Sequence, residues 1–150
     1  MEWTTHALSG IALGFVVTND WKGAAIAGIA SVIPDLDEPR SKFGKVFFFI
    51  SIPVSMIFKH RTFTHSILFT LLSVSLLSMF LTFSQALAAG IGIASHIIGD
   101  MMTGRVHLLY PFNGSFGMDV NRLNYMLLDR IVRISLVLFI GVIAYQSIWN

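Results

Sequence analysis

The chain has 150 residues, of which 55% are hydrophobic and 12% charged, with a net charge of +2 and no cysteine. Soluble domains carry roughly a quarter of charged residues, so this composition, with a mean hydropathy of +0.74, indicates a membrane protein. The few basic residues argue against a nucleic-acid-binding surface. The lack of cysteine excludes disulfides and thiolate metal sites. We expect a single domain over 1–150 and, with Glu2 and no basic stretch at the N-terminus, no cleaved signal peptide.

The first apolar segments are short. Segments 7–17 and 24–33 cannot cross the roughly 30 Å hydrocarbon core as straight helices, and the polar run 18–23 between them supplies a turn and a helix N-cap. Segment 46–58 contains Pro53, so a kinked or broken, re-entrant or interfacial element is expected there.

Three later segments, 64–83, 86–102 and 131–148, are long enough to span the membrane. Ser84 and Gln85 are the polar residues between the first two, which predicts a tight antiparallel hairpin. The predicted fold class is all-α, an integral membrane helical bundle with about four full spans plus short or re-entrant helices. Residues 104–130 are expected to form a headgroup-level loop, and Asp129 to lie at the start of the last helix, paired with a nearby arginine.

Tracing these helices back and forth places most polar residues on one side of the membrane. All five histidines lie there, with seven of the eight acidic residues (Asp20 is the exception) and nine of the ten basic residues (Lys22 is the exception). Basic residues accumulate on the cytoplasmic side of membrane proteins. The polar side is therefore expected to be cytoplasmic, although recruitment of cations to an anionic substrate would produce the same asymmetry.

Pairs of histidine and aspartate stand at the ends of these apolar segments. In "SHIIGDMMT", His96 and Asp100 are spaced i, i+4 and share one helix face. Asp35 and Asp37 follow Pro34 directly after segment 24–33, where carboxylates can bind metal from a loop. The alternatives are a structural His–Asp hydrogen bond and a solvated acidic turn. Ionisable residues at the end of a membrane helix are costly and usually functional, so a functional role is favoured over these alternatives.

Two further motifs add imidazoles and cations. "TTHALSG" places His6 in the first helical turn, and "KHRTFTHS" offers His60 and His65 beside Lys59 and Arg61. A lone helix-end histidine is more often an interfacial residue, and flanking cations often only anchor a helix at the headgroups. The convergence of four segments outweighs these alternatives. Three imidazoles and three carboxylates without a thiol suit one or two Zn²⁺ ions, or Mn²⁺. The candidate ligands are His6, Asp35, Asp37, His65, His96 and Asp100.

The ordered motifs "TTHALSG", "IPDLDEPRS", "HRTFTHS" and "SHIIGDMMTGRVHLLYPF" resemble the YdjM-like family of membrane-bound metal-dependent hydrolases. The resemblance covers about His6 to Pro111 and implies a multi-pass bacterial inner-membrane protein that binds metal. The positions carried over are His6, Asp35, Asp37, His60, His65, His96 and Asp100. His107, and Glu38 with Pro39, depart from the family's pattern. The ligand order is also similar to that of the zinc phospholipase C and P1 nuclease group, which implies phosphoester cleavage.

The leading hypothesis is a hydrolase that cleaves a phosphoester of a phospholipid or lipid-linked substrate with a metal-activated water. Asp37 is expected to bridge metals or to act as base, and His60 with Arg61 to stabilise charge or protonate the leaving group. Lys59, His60 and Arg61 are the candidate phosphate-binding residues. The alternatives are a zinc amidase of the ceramidase type and a non-enzymatic ion or lipid transporter, which the short broken helices would also suit.

Overall fold

The structure is a computed structural model and describes residues 1–149. Its helices are α1 (Trp3–Thr18), α2 (Trp21–Ala30), α3 (Lys42–Val46), α4 (Phe48–Ile57), α5 (Ile67–Leu77), α6 (Phe83–Thr103) and α7 (Arg122–Trp149). Two 3₁₀ turns, Pro34–Asp37 and Phe63–His65, follow α2 and precede α5. The predicted all-α class is confirmed, apart from a small antiparallel hairpin between β1 (Arg105–Val106) and β2 (Phe116–Gly117) in the region expected to be a loop.

The helices α1, α2 and α6 form the packed centre of the molecule. Small residues line their contacts, among them Ala27, Ala86 and Ala89, and each of these is almost fully buried. A Cβ atom on Gly92 of α6 would lie 2.1 Å from the carbonyl oxygen of Ala27 in α2. Glycine at this position therefore lets two helix backbones touch, as small residues do in membrane helix packing.

The two N-terminal helices are too short to cross the hydrocarbon core, as predicted, although α1 begins at Trp3 and not at residue 7. Asn19 ends α1 in the left-handed conformation, with φ of 49°, and its N–H donates to the Phe15 carbonyl. Asp20 is the N-cap residue of α2, although its side chain makes no capping hydrogen bond. The two helices therefore fold back on one another, and both ends that carry candidate ligands lie on the same side.

One helix among residues 1–149, α6, is long and apolar enough to cross a membrane. The predicted span 64–83 is wrong in its length, because α5 has 11 residues and rises about 16 Å. The Ser66 hydroxyl accepts the N–H of Phe69 and starts α5 late. Thr82 and Gln85 form a capping box that starts α6 at Phe83, so Gln85 lies inside the helix and not in the turn.

The structure also corrects two predicted boundaries. The chain breaks at Phe47, between α3 and α4, while Pro53 lies within the ten residues of α4. The last helix begins at Arg122 and not at residue 131, so Asp129 lies two turns inside α7. Its predicted pairing with an arginine is present, since Arg133 donates to it, and Asp129 also accepts the backbone N–H of Glu2 at 2.8 Å. This contact joins α7 to the start of α1.

Candidate metal centre

The structure brings all six predicted metal ligands to one end of the helix bundle. The first turn of α1 supplies His6, the two 3₁₀ turns supply Asp35, Asp37 and His65, and the last two turns of α6 supply His96 and Asp100. Three sets within this cluster have ligand atoms within 4.8 Å of one another: His6, His96 and Asp100; Asp35, His65 and His96; and Asp37, His60 and His65. The cluster is continuous, because neighbouring sets share a histidine.

The tautomer of His96 follows from its backbone contact. Its Nδ1 lies 2.7 Å from the carbonyl oxygen of Ser31, which can only accept a hydrogen bond. In the neutral ring the proton therefore lies on Nδ1, and the lone pair of Nε2 points into the cluster. A carbonyl that holds the second nitrogen in this way is the usual support of a metal-binding histidine.

His65 is held in the same manner from the opposite side. Its Nδ1 lies 3.0 Å from the Thr64 hydroxyl and 3.3 Å from Asp37 Oδ2. The Thr64 hydroxyl donates its own proton to Asp37, so it accepts from Nδ1–H of His65. The lone pair of His65 Nε2 then faces His96 Nε2 at 3.1 Å. Two such lone pairs need a cation or a proton between them.

The protein alone would meet this need with a proton. Burial disfavours the charged form of His65, but contacts with Asp100 and Asp37 outweigh burial and raise the pKa of His65 to about 9. A divalent cation would replace that proton. Since zinc–nitrogen bonds measure about 2.0–2.1 Å, two imidazole nitrogens on one tetrahedral zinc lie roughly 3.3 Å apart. The observed separation of 3.1 Å is close to this value.

Carboxylate oxygens complete the donor set. Asp100 Oδ2 lies 3.4 Å from His65 Nε2 and 3.9 Å from His96 Nε2, and Asp35 Oδ1 lies 3.7 Å from His96 Nε2. Burial raises the pKa of the Asp35 carboxyl, so a nearby cation would stabilise its ionised form. Two nitrogens and two oxygens without sulfur suit Zn²⁺ or Mn²⁺.

His6 provides a separate indication of a ligand site. Its ring is 1% exposed and stacks on His96 with centroids 3.8 Å apart. Its Nε2 lies 3.3 Å from Asp100 Oδ1, but neither ring nitrogen makes a well-aligned hydrogen bond with any residue of the described range 1–149. Buried polar atoms are rarely left without a partner, so the orphaned imidazole fits a metal bound beside Asp100.

Asp37 organises the residues beside this cluster. Its Oδ1 lies 2.6 Å from His60 Nδ1, and its Oδ2 accepts the backbone N–H of Arg61 and the hydroxyl of Thr64. Burial would raise its pKa, but these contacts with His60 and those with His65 hold the pKa of Asp37 well below its usual value. The carboxylate is therefore ionised at neutral pH and fixes the orientation of the His60 ring.

Arg61 is held at two points. Its backbone adopts a positive φ of 63°, and its Nε donates to Asp100 Oδ2 at 2.9 Å. A Cβ atom on Gly104 would lie 2.2 Å from Arg61 Nη1, so the glycine makes room for the guanidinium. The N-terminal amine of Met1 donates to the other oxygen of Asp100 at 2.8 Å. Asp100 thus has cationic partners on both oxygens.

An open cavity of about 320 Å³ lies beside the cluster. The predicted residues His60, Arg61, Asp35 and Asp100 line it, together with Lys42, Glu2 and Tyr125. Lys59, predicted to bind phosphate, is exposed and is not among the lining residues. Sequence reasoning missed Lys42 and the supporting groups at Ser31 and Thr64, because a lone lysine and a backbone carbonyl carry no motif.

Comparison with known proteins agrees with the membrane character of the sequence. The family described as YdjM inner membrane protein matches residues 1–149. This chain belongs to that family. Inner membrane protein YdjM of Escherichia coli (strain K12) is 34% identical over 107 residues, which are 67% of this chain and 55% of that protein. YvsG of Bacillus subtilis (strain 168) is 41% identical over 91 residues, 59% of this chain and 56% of YvsG.

The YdjM-family chain thus matches about half the length of each of these relatives. No solved structure is significantly similar to it. The family name supports an inner-membrane location, while the metal cluster is an observation on this chain's own residues.

Proposed function

We propose that this chain is a membrane-embedded, metal-dependent hydrolase that cleaves a phosphoester of a phospholipid or lipid-linked substrate. The observation that carries the proposal is the pair of imidazole Nε2 atoms of His65 and His96, which face one another at 3.1 Å with both Nδ1 atoms engaged elsewhere. Asp35, Asp100 and His6 surround that pair. These five residues would hold one or two zinc ions.

A bound zinc ion supplies Lewis acidity toward a phosphoryl oxygen and activates water at neutral pH. The chain's own residues would place the substrate. Arg61 and Lys42 line the cavity beside the cluster and carry the positive charge that a phosphate requires. Lys42 takes the place that the sequence had indicated for Lys59.

His60 is the candidate proton donor to the leaving group. Its side chain is 34% exposed and lines the same cavity. Asp37 binds Nδ1, which leaves Nε2 free to exchange a proton with a substrate. This arrangement, an imidazole oriented by a buried carboxylate, is common to general acid–base catalysis.

In this proposal more helices than α6 lie in the membrane. Large apolar side chains are exposed along α4, α5 and α7, among them Phe48, Leu71 and Leu138. We infer that these helices contact lipid and that the bundle is multi-pass, with the metal side cytoplasmic because the basic residues collect there. A reporter enzyme fused to the C-terminus should then be active outside the cytoplasm. Reporter activity in the cytoplasm would show that the protein has the opposite orientation.

Zinc-loaded protein in mixed micelles of detergent with phosphatidylglycerol or phosphatidic acid should release a phosphorylated headgroup or phosphate from the lipid. We expect His60→Gln to slow this release by roughly 10²–10⁴-fold, the contribution typical of a general acid. The measurement is product release over time at equal zinc content.

The matched control is His107→Gln, because His107 belongs to none of the ligand sets among residues 1–149. It should retain the wild-type rate. Cleavage of a ceramide amide without phosphoester cleavage would identify the amidase alternative. Uptake of lipid or ions into vesicles that survives His96→Ala would identify a transporter. No release of product from any phosphoester would refute the proposal.

A further inference from the structure

An apolar groove of about 420 Å³ runs along the outside of α1 and α2 under α3. Its lining consists of apolar side chains and one glycine. The main contributors are Trp3, Ala7 and Ile11 from α1, Ala25 and Ile29 from α2, and Phe43 from α3. Its volume lies within the roughly 300–1,000 Å³ typical of ligand sites.

The direction of the groove follows from helix geometry. Trp3, Ala7 and Ile11 are spaced i, i+4 and i+8, so they lie along one face of α1. At 1.5 Å per residue they extend about 12 Å from Trp3 along the helix axis. One leaflet of the hydrocarbon core is roughly 15 Å deep. The groove is therefore long enough to cover most of the depth of one leaflet.

The groove and the polar cavity at the metal cluster meet at Trp3. This residue lines both spaces, and the neighbours Lys42 and Phe43 line the cavity and the groove respectively. The Trp3 and Phe43 rings lie 6.0 Å apart, and Lys42 Nζ lies 5.5 Å from the centroid of the Trp3 ring. Tryptophan and lysine together are typical of the boundary between hydrocarbon and headgroups.

We propose that this groove holds one acyl chain of a bilayer phospholipid whose phosphate occupies the polar cavity. The inference rests on the proposed function for its substrate class and adds the path of the lipid tail. Lys42 and Arg61 complement the phosphate, while the groove beyond Trp3 offers only apolar contact. Lipid tails in the bilayer are as apolar as the groove, so moving a tail into the groove adds little affinity for the lipid. The groove instead positions the phosphoester of the lipid at the polar cavity.

A second apolar groove, between α5 and α6, does not have this continuity. Its volume is about 460 Å³, and it is lined by Ile67, Leu71, Ala94 and Met101 among others. None of its lining residues lines the polar cavity. It is therefore a matched control surface on the same protein.

The test uses the zinc-loaded chain in nanodiscs of phosphatidylglycerol and phosphatidylethanolamine that carry a diazirine at the end of one acyl chain. After illumination, mass spectrometry maps the labelled residues. In the wild type we expect labelling at Ile11, which lies about 12 Å along α1 from Trp3, and at Ile29 of the same groove. Ala25→Trp fills the groove and should reduce this labelling about tenfold or more, as overpacking of a well-fitted site does. Ala94→Trp fills the other groove and should leave the labelling unchanged.

Labelling does not require turnover, so the two proposals fail separately. Labelled groove residues without hydrolysis of any lipid would refute the proposed function and leave the lipid site in place. Hydrolysis with labelling at Leu71 and Ala94, or with labelling spread evenly over the exposed apolar surface, would refute the proposal that the groove along α1 and α2 holds an acyl chain. The wild-type map gives this answer even if Ala25→Trp fails to fold.

Discussion

Replacing His96 by alanine should lower the affinity of the protein for zinc by more than about 100-fold. Even residues that merely support a metal ligand change affinity by roughly 10–100-fold, and His96 offers its Nε2 directly to the cluster. It contributes to two of the three ligand sets. Its loss would leave His65 Nε2 facing an empty space and would free the Ser31 carbonyl.

The affinity is measured by competition with a chelator of known zinc affinity. His107→Ala is the matched control, since it removes another histidine side chain from the same side of the protein. The backbone N–H of residue 107 donates to the Arg61 carbonyl at 2.9 Å, and the substitution keeps this contact, so the variant should bind zinc as the wild type does. Equal affinity of His96→Ala and His107→Ala would mean that the cluster is a structural hydrogen-bond network and not a metal site.

Replacing Asp37 by asparagine should reduce phosphoester hydrolysis by roughly 100-fold or more, as loss of an oriented acid–base group does. Asparagine keeps the size of the side chain but has one oxygen where Asp37 uses two. One oxygen contacts His60 Nδ1 at 2.6 Å, and the other accepts from Arg61 and Thr64. The amide group would face one of these donors, so the His60 ring loses its fixed orientation.

The rate is measured together with zinc content, because the sequence leaves open whether Asp37 is a ligand or a base. Retained zinc with a lost rate would assign Asp37 to the positioning of His60. Loss of one zinc equivalent would assign it to the metal. Asp119→Asn is the control, as Asp119 is exposed and pairs only with Arg105 among residues 1–149. An unchanged rate in Asp37→Asn would contradict the proposed role of His60.

The convergence of the candidate site was predictable because its residues stand at the ends of apolar segments. A chain that folds back at residues 18–23 must bring His6 and Asp35 to the same side. The supporting contacts were not predictable. The Ser31 carbonyl reaches His96 across 65 positions of sequence, and Lys42 reaches the cavity through a short helix that no motif marks.

Helix boundaries were predicted less well than the gathering of the candidate ligands at one end of the bundle, for two physical reasons. Hydropathy cannot detect a serine such as Ser66 that starts a helix by capping inside an apolar run. It also cannot detect a helix whose first turns are polar. The first turns of α7 from Arg122 are polar enough to resemble a loop, yet they hold Asp129 against the start of α1.

A zinc ion shared by His65 and His96 can be detected by zinc K-edge X-ray absorption on the protein purified without chelators. We predict about one to two zinc ions per chain. Their nitrogen and oxygen ligands should lie at about 2.0–2.1 Å, with the scattering of at least two imidazole rings and no sulfur. Protein without zinc, or zinc whose ligands include no imidazole, would refute a zinc site at His65 and His96.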